Sequence, residues 1–339
     1  MTARPTMPLR LPTIADIEAA NARLKPHLVA TPLLEHPVLN ARVGGRVLLK
    51  CENLQRVGAF KFRGAYNKIV QVDRAAFPGG VVACSSGNHA QGVAAAATLL
   101  GLRSAIVMPA DAPAMKVSRT RAFGGEVIAY DRVTEDREVI AARLCTERGA
   151  AMVHPYDDPD VMAGQGTVGL DIVAQAAAMG VVPEAVLVAC SGGGLAGGIG
   201  LAVKASHPAA EIYTVEPHGF DDMARSLRSG QRERNGKLAG SICDALLAEQ
   251  PGETTFAVGK TVLAGGLVVT DDEVRDAIRF AFADLKMVVE PGGAVALAAV
   301  LSGRFSARDK TVIVIISGGN IDAEMLCGIL GSPCQPASG

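Results

Sequence analysis

The sequence predicts an α/β fold: open, twisted sheets of parallel strands with helices covering both faces. Two observations carry this. Short uninterrupted apolar runs, such as Val81–Cys84 and Thr311–Ile316, alternate with longer stretches of helical period, as expected of strands buried on both faces. Several of those runs also end in turns built from Ser, Gly and Asn: Ser85-Ser86-Gly87-Asn88, Ser191-Gly192-Gly193-Gly194 and Ser317-Gly318-Gly319-Asn320. The carboxyl ends of parallel strands are where such folds bind ligands.

The elements follow in order. The Pro-rich first dozen residues are expected to fray. Thr13 is a candidate N-cap for a helix to about Leu24, with Ile14, Ile17 and Ala20 on one face. Val47-Leu48-Leu49 reads as a short strand, and a helix with Ala65, Ile69 and Val70 follows Lys61. Val81–Cys84 is a strand, and His89–Leu100 an Ala-rich helix closed by Gly101. A strand at Ala105–Met108, a helix near Met115–Ala122, a strand at Val127–Tyr130 and a helix near Glu135–Arg148 complete three compact βα units. A helix near Pro159–Met179 then leads to a strand at Ala185–Ala189, a Gly-rich turn and a helix from Leu195. Ile212–Val215 is another buried strand, and Gln231–Gly240 is polar and loop-like. A helix from Asp271 to about Lys286 and another after Pro291 precede Thr311–Ile316, a β-branched run that reads as a central strand.

Composition narrows the function. The 339 residues suffice for two domains or one large α/β body. A net charge of −1 and few aromatics, with Trp absent, argue against a nucleic-acid or membrane-surface partner. The seven cysteines, Cys51, Cys84, Cys145, Cys190, Cys243, Cys327 and Cys334, form no CxxC pair. Their scatter suggests reduced thiols in a cytoplasmic protein. No apolar run reaches membrane-spanning length, and the N-terminus, with Arg4 and Arg10 among prolines, does not resemble a secretory signal. There are no repeats and no low-complexity linker.

Four segments carry candidate chemistry, and each also has a plainer reading. Lys61 lies between Phe60 and Phe62 at the start of an apolar helical run. Desolvation there would lower its pKa, as an amine that attacks an aldehyde requires; the plainer reading is a snorkelling surface lysine. Ser85 to His89, at a strand end and helix start, offers backbone N–H groups, hydroxyls and an amide to a carboxylate, or is simply a capped turn. Ser191 to Leu195 lets amides converge on a phosphate without side-chain interference, or is a tight strand–helix turn. No Lys-Ser/Thr follows, which excludes a nucleoside-triphosphate loop, and GxGxxG matches there carry little weight. Ser317 puts a hydroxyl at another strand end, again unless the segment is only a turn.

Together these segments resemble the pyridoxal-phosphate enzymes of the tryptophan-synthase-β fold (fold type II), in the threonine dehydratase and serine racemase branch. The resemblance rests on Ala59-Phe60-Lys61-Phe62-Arg63-Gly64-Ala65, Ser85 to His89, Ser191 to Leu195, Ser241 to Ala245 before Pro251-Gly252, and Ser317 to Asn320. It implies that Lys61 links to the cofactor aldehyde, with Phe60 near the ring and Asn88 at the ring's 3′-oxygen. It also implies that Ser191, Gly192, Gly193, Gly194 and Leu195 hold the phosphate and that Ser317 faces the pyridine nitrogen. Ser85, Ser86, Gly87, Asn88 and His89 would receive the substrate carboxylate, with Ser86 a second acid/base opposite Lys61. The family's motif usually begins with Ser where this chain has Ala59, so no role is carried over to that position.

In the same family Glu216, the Phe220 carbonyl and Asp222 would bind Mg2+ or Ca2+, a set of oxygen ligands suited to a hard cation; the alternative is an acidic helix start stabilised by the helix dipole. The resemblance further implies two domains, 1–79 with 157–339 and a smaller βαβα insert at 80–156, with the active site in the cleft between them. The expected activity is dehydration of L-threonine or L-serine to a 2-oxo acid and ammonia, by a homodimer. Racemisation of serine through Ser86 and dehydration of a 3-hydroxyaspartate, with Arg137 meeting its second carboxylate, are the alternatives. A cofactor-carrying regulatory protein without turnover is the alternative of a different class. No second α+β module like the regulatory domain of long biosynthetic threonine dehydratases is present, which points to a catabolic or specialised role.

Overall fold

Local signals set the helix boundaries. The computed structural model describes residues 9–112, 114–131 and 133–331. Arg4, Cys334 and the fraying expected of residues 1–8 lie outside these. Arg10 is tied down rather than frayed, pairing with Asp16 at 2.8 Å and Asp160 at 2.7 Å.

Thr13 caps α1 (Ile14–Leu24) through a reciprocal capping box with Asp16. Then come β1 (Leu33–Glu35), α2 (Pro37–Val43), β2 (Arg46–Cys51) and α3, which begins at Lys61 itself (Lys61–Ile69). The next stretch alternates as the sequence suggests: β3 (Val81–Cys84), α4 (Asn88–Leu99), β4 (Ser104–Pro109), α5 (Ala114–Ala122), β5 (Glu126–Tyr130), α6 (Arg137–Arg148) and β6 (Ala151–Met152). Asp136 caps α6 and Gly149, at φ 60°, ends it. Asp158 caps α7 (Pro159–Ala178), with Pro159 in its first turn. The rest comprises β7 (Ala185–Ala189), α8 (Gly194–Ser206), β8 (Glu211–Pro217), α9 (Asp222–Ser229), α10 (Glu253–Val262), β9 (Gly265–Val269), α11 (Asp271–Ala283), α12 (Pro291–Leu301), β10 (Thr311–Ile316) and α13 (Ala323–Gly331).

The strands form two sheets. A six-stranded sheet runs β1-β2-β10-β7-β8-β9, and a four-stranded sheet runs β5-β4-β3-β6. Every pairing is parallel except that of β1 with β2 at the edge. β10 lies between β2 and β7 with Val312–Ile316 fully buried, as its β-branched run indicates. α12, apolar all round, is buried along its length except at Leu301. α11 ends at Ala283, earlier than the sequence suggests, because Lys286 takes φ +59° and breaks the helical path.

α3 is held from below by charge. Arg63, fully buried, donates Nε and Nη2 to the two Glu52 carboxylate oxygens at 2.8 Å each, and Nη2 to Asp171 at 2.7 Å. Lys50 sits 3.9 Å from Glu52 and 3.6 Å from Asp171. Two cations and two anions thus balance, with Lys50, Glu52 and Arg63 fully buried and Asp171 partly exposed; removing one partner of the buried Arg63–Glu52 pair costs about 3–5 kcal/mol. Gly164 of α7 admits α3 closely: a Cβ there would lie 2.5 Å from the Arg63 carbonyl oxygen. Among the described residues no helix is long and apolar enough to cross a membrane.

Candidate active site

The Ser/Gly turns after β3, β7 and β10 open onto one cavity of about 580 Å³. Phe60 and Lys61, Ser85 to His89, Arg137, Ser191 to Leu195 and Ser317 all line it. The residues singled out for cofactor and substrate in the sequence are therefore together. Glu216, Phe220 and Asp222 are not among the lining residues and form a separate cluster where β8 meets α9.

Lys61 is placed by backbone as well as by the ion layer beneath it. Phe60 N donates to Ser317 O at 3.1 Å, and Ala59 bridges to Gly318, which ties the start of α3 to the end of β10. Lys61 Nζ stands 5.2 Å from the Phe60 ring centroid and donates to Pro155 O at 2.8 Å. Among the described residues no carboxylate pairs with it. Desolvation therefore acts unopposed and pulls the amine down to about 8.

Asn88 and His89 open α4. Asn88 Nδ2 donates to Glu290 Oε1 at 2.6 Å, and Asn88 Oδ1 accepts from Asn320 Nδ2 at 2.8 Å. His89 lies 3.0 Å through Nε2 from the Val153 carbonyl oxygen, so Nε2 carries the proton. Burial and the nearby Lys61 push that imidazole down to about 3. It is neutral at working pH, and the N–H groups of the helix start, rather than a charged ring, are what it brings to a carboxylate.

The turn from Ser191 to Leu195 is shaped by what a side chain would hit. A Cβ on Gly192 would lie 2.2 Å from the Tyr156 ring, and Gly193 takes φ +95°. Thr255 Oγ1 donates to Gly192 O at 2.5 Å, and Ala248 N donates to Ser191 Oγ at 3.1 Å. α8 starts at Gly194, so its first N–H groups have no acceptor within the helix and face an anion site with the positive end of the helix dipole. The buried Gln165 Oε1 beside this turn has no partner. An aldehyde-bearing pyridine phosphate fits this arrangement: a desolvated amine of lowered pKa at one end, unspent N–H groups at the other, and the Ser317 hydroxyl at the end of β10.

The rim is charged. Lys116 pairs with Asp244 and Arg232 with Glu253. Arg137, the first residue of α6, is exposed and has no carboxylate partner among the described residues. Cys84 Sγ donates to its carbonyl at 3.2 Å and fixes the helix start against β3.

At the second cluster Glu216 accepts from Met223 N at 2.9 Å and Ala224 N at 2.8 Å, so it caps α9 in the manner of the plainer reading. Asp222 Oδ1 accepts from Asn235 at 2.7 Å, but its buried Oδ2 has no partner. Burial pushes both carboxyls up, and they repel each other: Glu216 lies well above the usual range and Asp222 at about 7. Two crowded buried carboxyls with an orphaned oxygen suit a hard divalent cation. Among the described residues no group of three or more His, Cys, Asp and Glu side chains is gathered for a metal.

Sequence reasoning gave no role to Tyr156, Asp157 or Glu290. The first two were reachable: a Gly that cannot carry a Cβ needs a large neighbour, and His154-Pro155-Tyr156-Asp157 is the segment leading from β6 into α7. Asp157 caps α10 by accepting from Glu253 N and Thr254 N, both at 2.9 Å. Glu290 comes into view only through tertiary contact.

Residues 24–318 match the family described as pyridoxal-phosphate dependent enzyme. An L-threo-3-hydroxyaspartate ammonia-lyase of Pseudomonas sp is 40% identical over 322 residues, spanning 95% of this chain and 99% of the relative. A serine racemase of Schizosaccharomyces pombe is 39% identical over 316 residues, spanning 93% and 96%. The crystal structure of a threonine deaminase of T.th. superposes with a TM-score of 0.86 at 43% identity, covering 92% of this chain and 99% of that one.

Proposed function

The chain belongs to the pyridoxal-phosphate dependent enzyme family, and from that premise we propose an ammonia-lyase that removes water from a β-hydroxy-α-amino acid, L-threonine or L-serine. One observation carries the reading: a desolvated Lys61 amine shares a cavity with a phosphate turn and a carboxylate turn.

When bound, pyridoxal phosphate supplies an electron sink that acidifies the α-carbon of the attached amino acid. Lys61 would anchor it, and the N–H groups from Ser191 to Leu195 would hold its phosphate. Asn88 would turn an N–H toward the ring oxygen, Ser317 would offer a neutral hydroxyl to the ring nitrogen, and Phe60 would lie near the ring. The turn from Ser85 to His89 orients the substrate carboxylate. Lys61 Nζ would take the α-proton of the held amino acid; its lowered pKa makes it a competent base near neutrality. The β-hydroxyl would leave as water with that proton, and hydrolysis of the released enamine would give a 2-oxo acid and ammonia. Ser86 is the acid/base of the opposite face, which makes serine racemisation the companion activity.

A second reading has its own observation. Arg137 faces the cavity without a carboxylate partner among the described residues, and a 3-hydroxyaspartate would supply one. Glu216, Asp222 and the Phe220 carbonyl are proposed to hold Mg2+ or Ca2+. The division into 1–79 with 157–339 and 80–156 belongs to the same proposal, supported by the four-stranded sheet drawing its strands from Val81 to Met152. A cytoplasmic homodimer completes it, and the described cysteines, which stand as free thiols, are consistent with a reducing compartment.

The test is release of 2-oxo acid and ammonia from L-threonine, L-serine, the 3-hydroxyaspartates and their stereoisomers. Equimolar products from an L-β-hydroxy amino acid are expected. Spectral changes with amino acids but no product would instead mark a regulatory binder.

A further inference from the structure

The Asn88 carboxamide is held at both ends, and the direction of that hold is set from outside the cavity. Arg119, on the exposed side of α5, donates Nη1 to Asn320 Oδ1 at 2.6 Å. A guanidinium can only donate, so Asn320 must turn its oxygen to Arg119 and its nitrogen inward. Asn320 Nδ2 then donates to Val57 O at 2.7 Å and to Asn88 Oδ1 at 2.8 Å. The Val57 carbonyl, which can only accept, requires the same orientation. With its oxygen committed, Asn88 turns Nδ2 to Glu290 Oε1 at 2.6 Å. One Nδ2 hydrogen remains unspent.

The surroundings keep this path open. Val57, a β-branched residue, adopts φ +59°, a conformation it takes only when neighbours enforce it. That turn aims its carbonyl at Asn320. Gly58 follows at φ +71°, and a Cβ there would lie 2.6 Å from Asn320 Oδ1. Glu290 is enclosed beside the Lys116–Asp244 pair and Asn88, and burial pushes its carboxyl up to about 8. At neutral pH it therefore accepts from Asn88 without presenting a full charge to the cavity floor. α4 and α5 follow strands of the four-stranded sheet, whereas Asn320 and Glu290 flank β10 and α12. The chain of bonds thus crosses between the two halves.

We propose that Arg119 is a positioning residue for the cofactor: together with the Val57 carbonyl it holds the direction of the bonds Arg119→Asn320→Asn88→Glu290, so that Asn88 presents its remaining N–H, not its carbonyl oxygen, to the anionic oxygen of the ring. This rests on the reading above that Asn88 meets that oxygen. A reversed Asn88 amide would set its Nδ2 against Asn320 Nδ2, two donors facing each other, and leave the ring oxygen without its donor.

The experiment titrates the apoenzyme with pyridoxal phosphate and records the dissociation constant, the absorption maximum of the bound cofactor and the melting temperature of the apoenzyme. Arg119→Met keeps an unbranched stem and removes the donor. It is expected to weaken cofactor affinity about tenfold, the size of one lost charge-assisted hydrogen bond, and to move the absorption maximum, with the apoenzyme melting as before. Arg119→Lys, again a pure donor, should restore most of both. Wild-type affinity and an unmoved maximum in Arg119→Met overturn the proposal, as does Arg119→Lys failing as badly as Arg119→Met. Asn88→Ala separates the two levels. If it changes both readouts while Arg119→Met changes neither, only the relay fails; if Asn88→Ala changes neither, the reading beneath it fails as well.

Discussion

Lys61 Nζ donates to the Pro155 carbonyl oxygen at 2.8 Å, so the amine of the cavity is held by a neutral acceptor. A carboxylate in that place would raise the lysine pKa and keep it charged. A carbonyl fixes the direction of the amine and leaves desolvation to decide its charge. Pro155 lies between β6 and α7, so the segment that links the two sheets also holds the Lys61 amine.

Capture of pyridoxal phosphate by the apoenzyme should follow the neutral fraction of Lys61. With the amine at about 8, that fraction is roughly one-tenth at pH 7 and nine-tenths at pH 9. The second-order capture rate, read by stopped-flow absorbance, should rise through pH 8 and level off by pH 9. A rate still climbing about tenfold per pH unit between pH 8 and pH 9 would mean an ordinary, solvated lysine.

Glu216 and Asp222 should make stability depend on divalent cation. Asp222 is raised from 3.8 to about 7 and Glu216 is raised too. The folded state therefore binds protons at these sites more tightly than the unfolded state. Without added cation, stability should be full below pH 4 from this source and fall as pH rises through about 7. Mg2+ or Ca2+ should remove that slope and raise the melting temperature at pH 7.5 by several degrees, on the order of 1–2 kcal/mol. Asp222→Asn should abolish the response to cation. Melting curves with chelator and with each ion check this; identical curves would remove the site.

Gly192→Ala should damage cofactor binding through sterics alone, because its Cβ would lie 2.2 Å from the Tyr156 ring. Overpacking of this kind costs about 1–3 kcal/mol, so apoenzyme affinity for pyridoxal phosphate should drop by roughly tenfold or more. Adding Tyr156→Ala should recover part of the loss by emptying the space. Equilibrium titration of the two variants checks it, and no recovery in the double variant would locate the damage elsewhere.

Arg137→Ala should separate substrates. A guanidinium–carboxylate contact is worth about 1.5–3 kcal/mol, so kcat/KM on L-threo-3-hydroxyaspartate should fall roughly 10- to 100-fold. The value for L-serine should change little. Equal losses on both would mean that Arg137 does not read a second carboxylate.

Much of the site was legible because strand-end turns announce themselves in sequence. Val81–Cys84, Ala185–Ala189 and Thr311–Ile316 appear as strands at the bounds read from their apolar runs, and the turns after them line one cavity. What escaped falls into two kinds. β1 and β6 have three and two residues, too few for any period, and β9 opens with Gly265-Gly266, which hides its strand character. Glu290, Asn320 and Arg119 take their roles from contacts made across 201 to 232 positions of sequence; periodicity carries no trace of such contacts. Glu216 illustrates the limit differently. The same carboxylate caps α9 and sits against Asp222, and spacing alone does not separate a cap from a ligand.

The most direct measurement is borohydride reduction of the enzyme loaded with pyridoxal phosphate, followed by digestion and mass spectrometry. The cavity contains two lysines, Lys61 and Lys116. Lys116 is paired with Asp244, whereas Lys61 meets only a carbonyl. The expected result is one pyridoxyl group, on Lys61, with Lys61→Ala giving neither the adduct nor 2-oxo acid. An adduct on Lys116 or on another lysine, with Lys61 unmodified, would contradict the account at its centre.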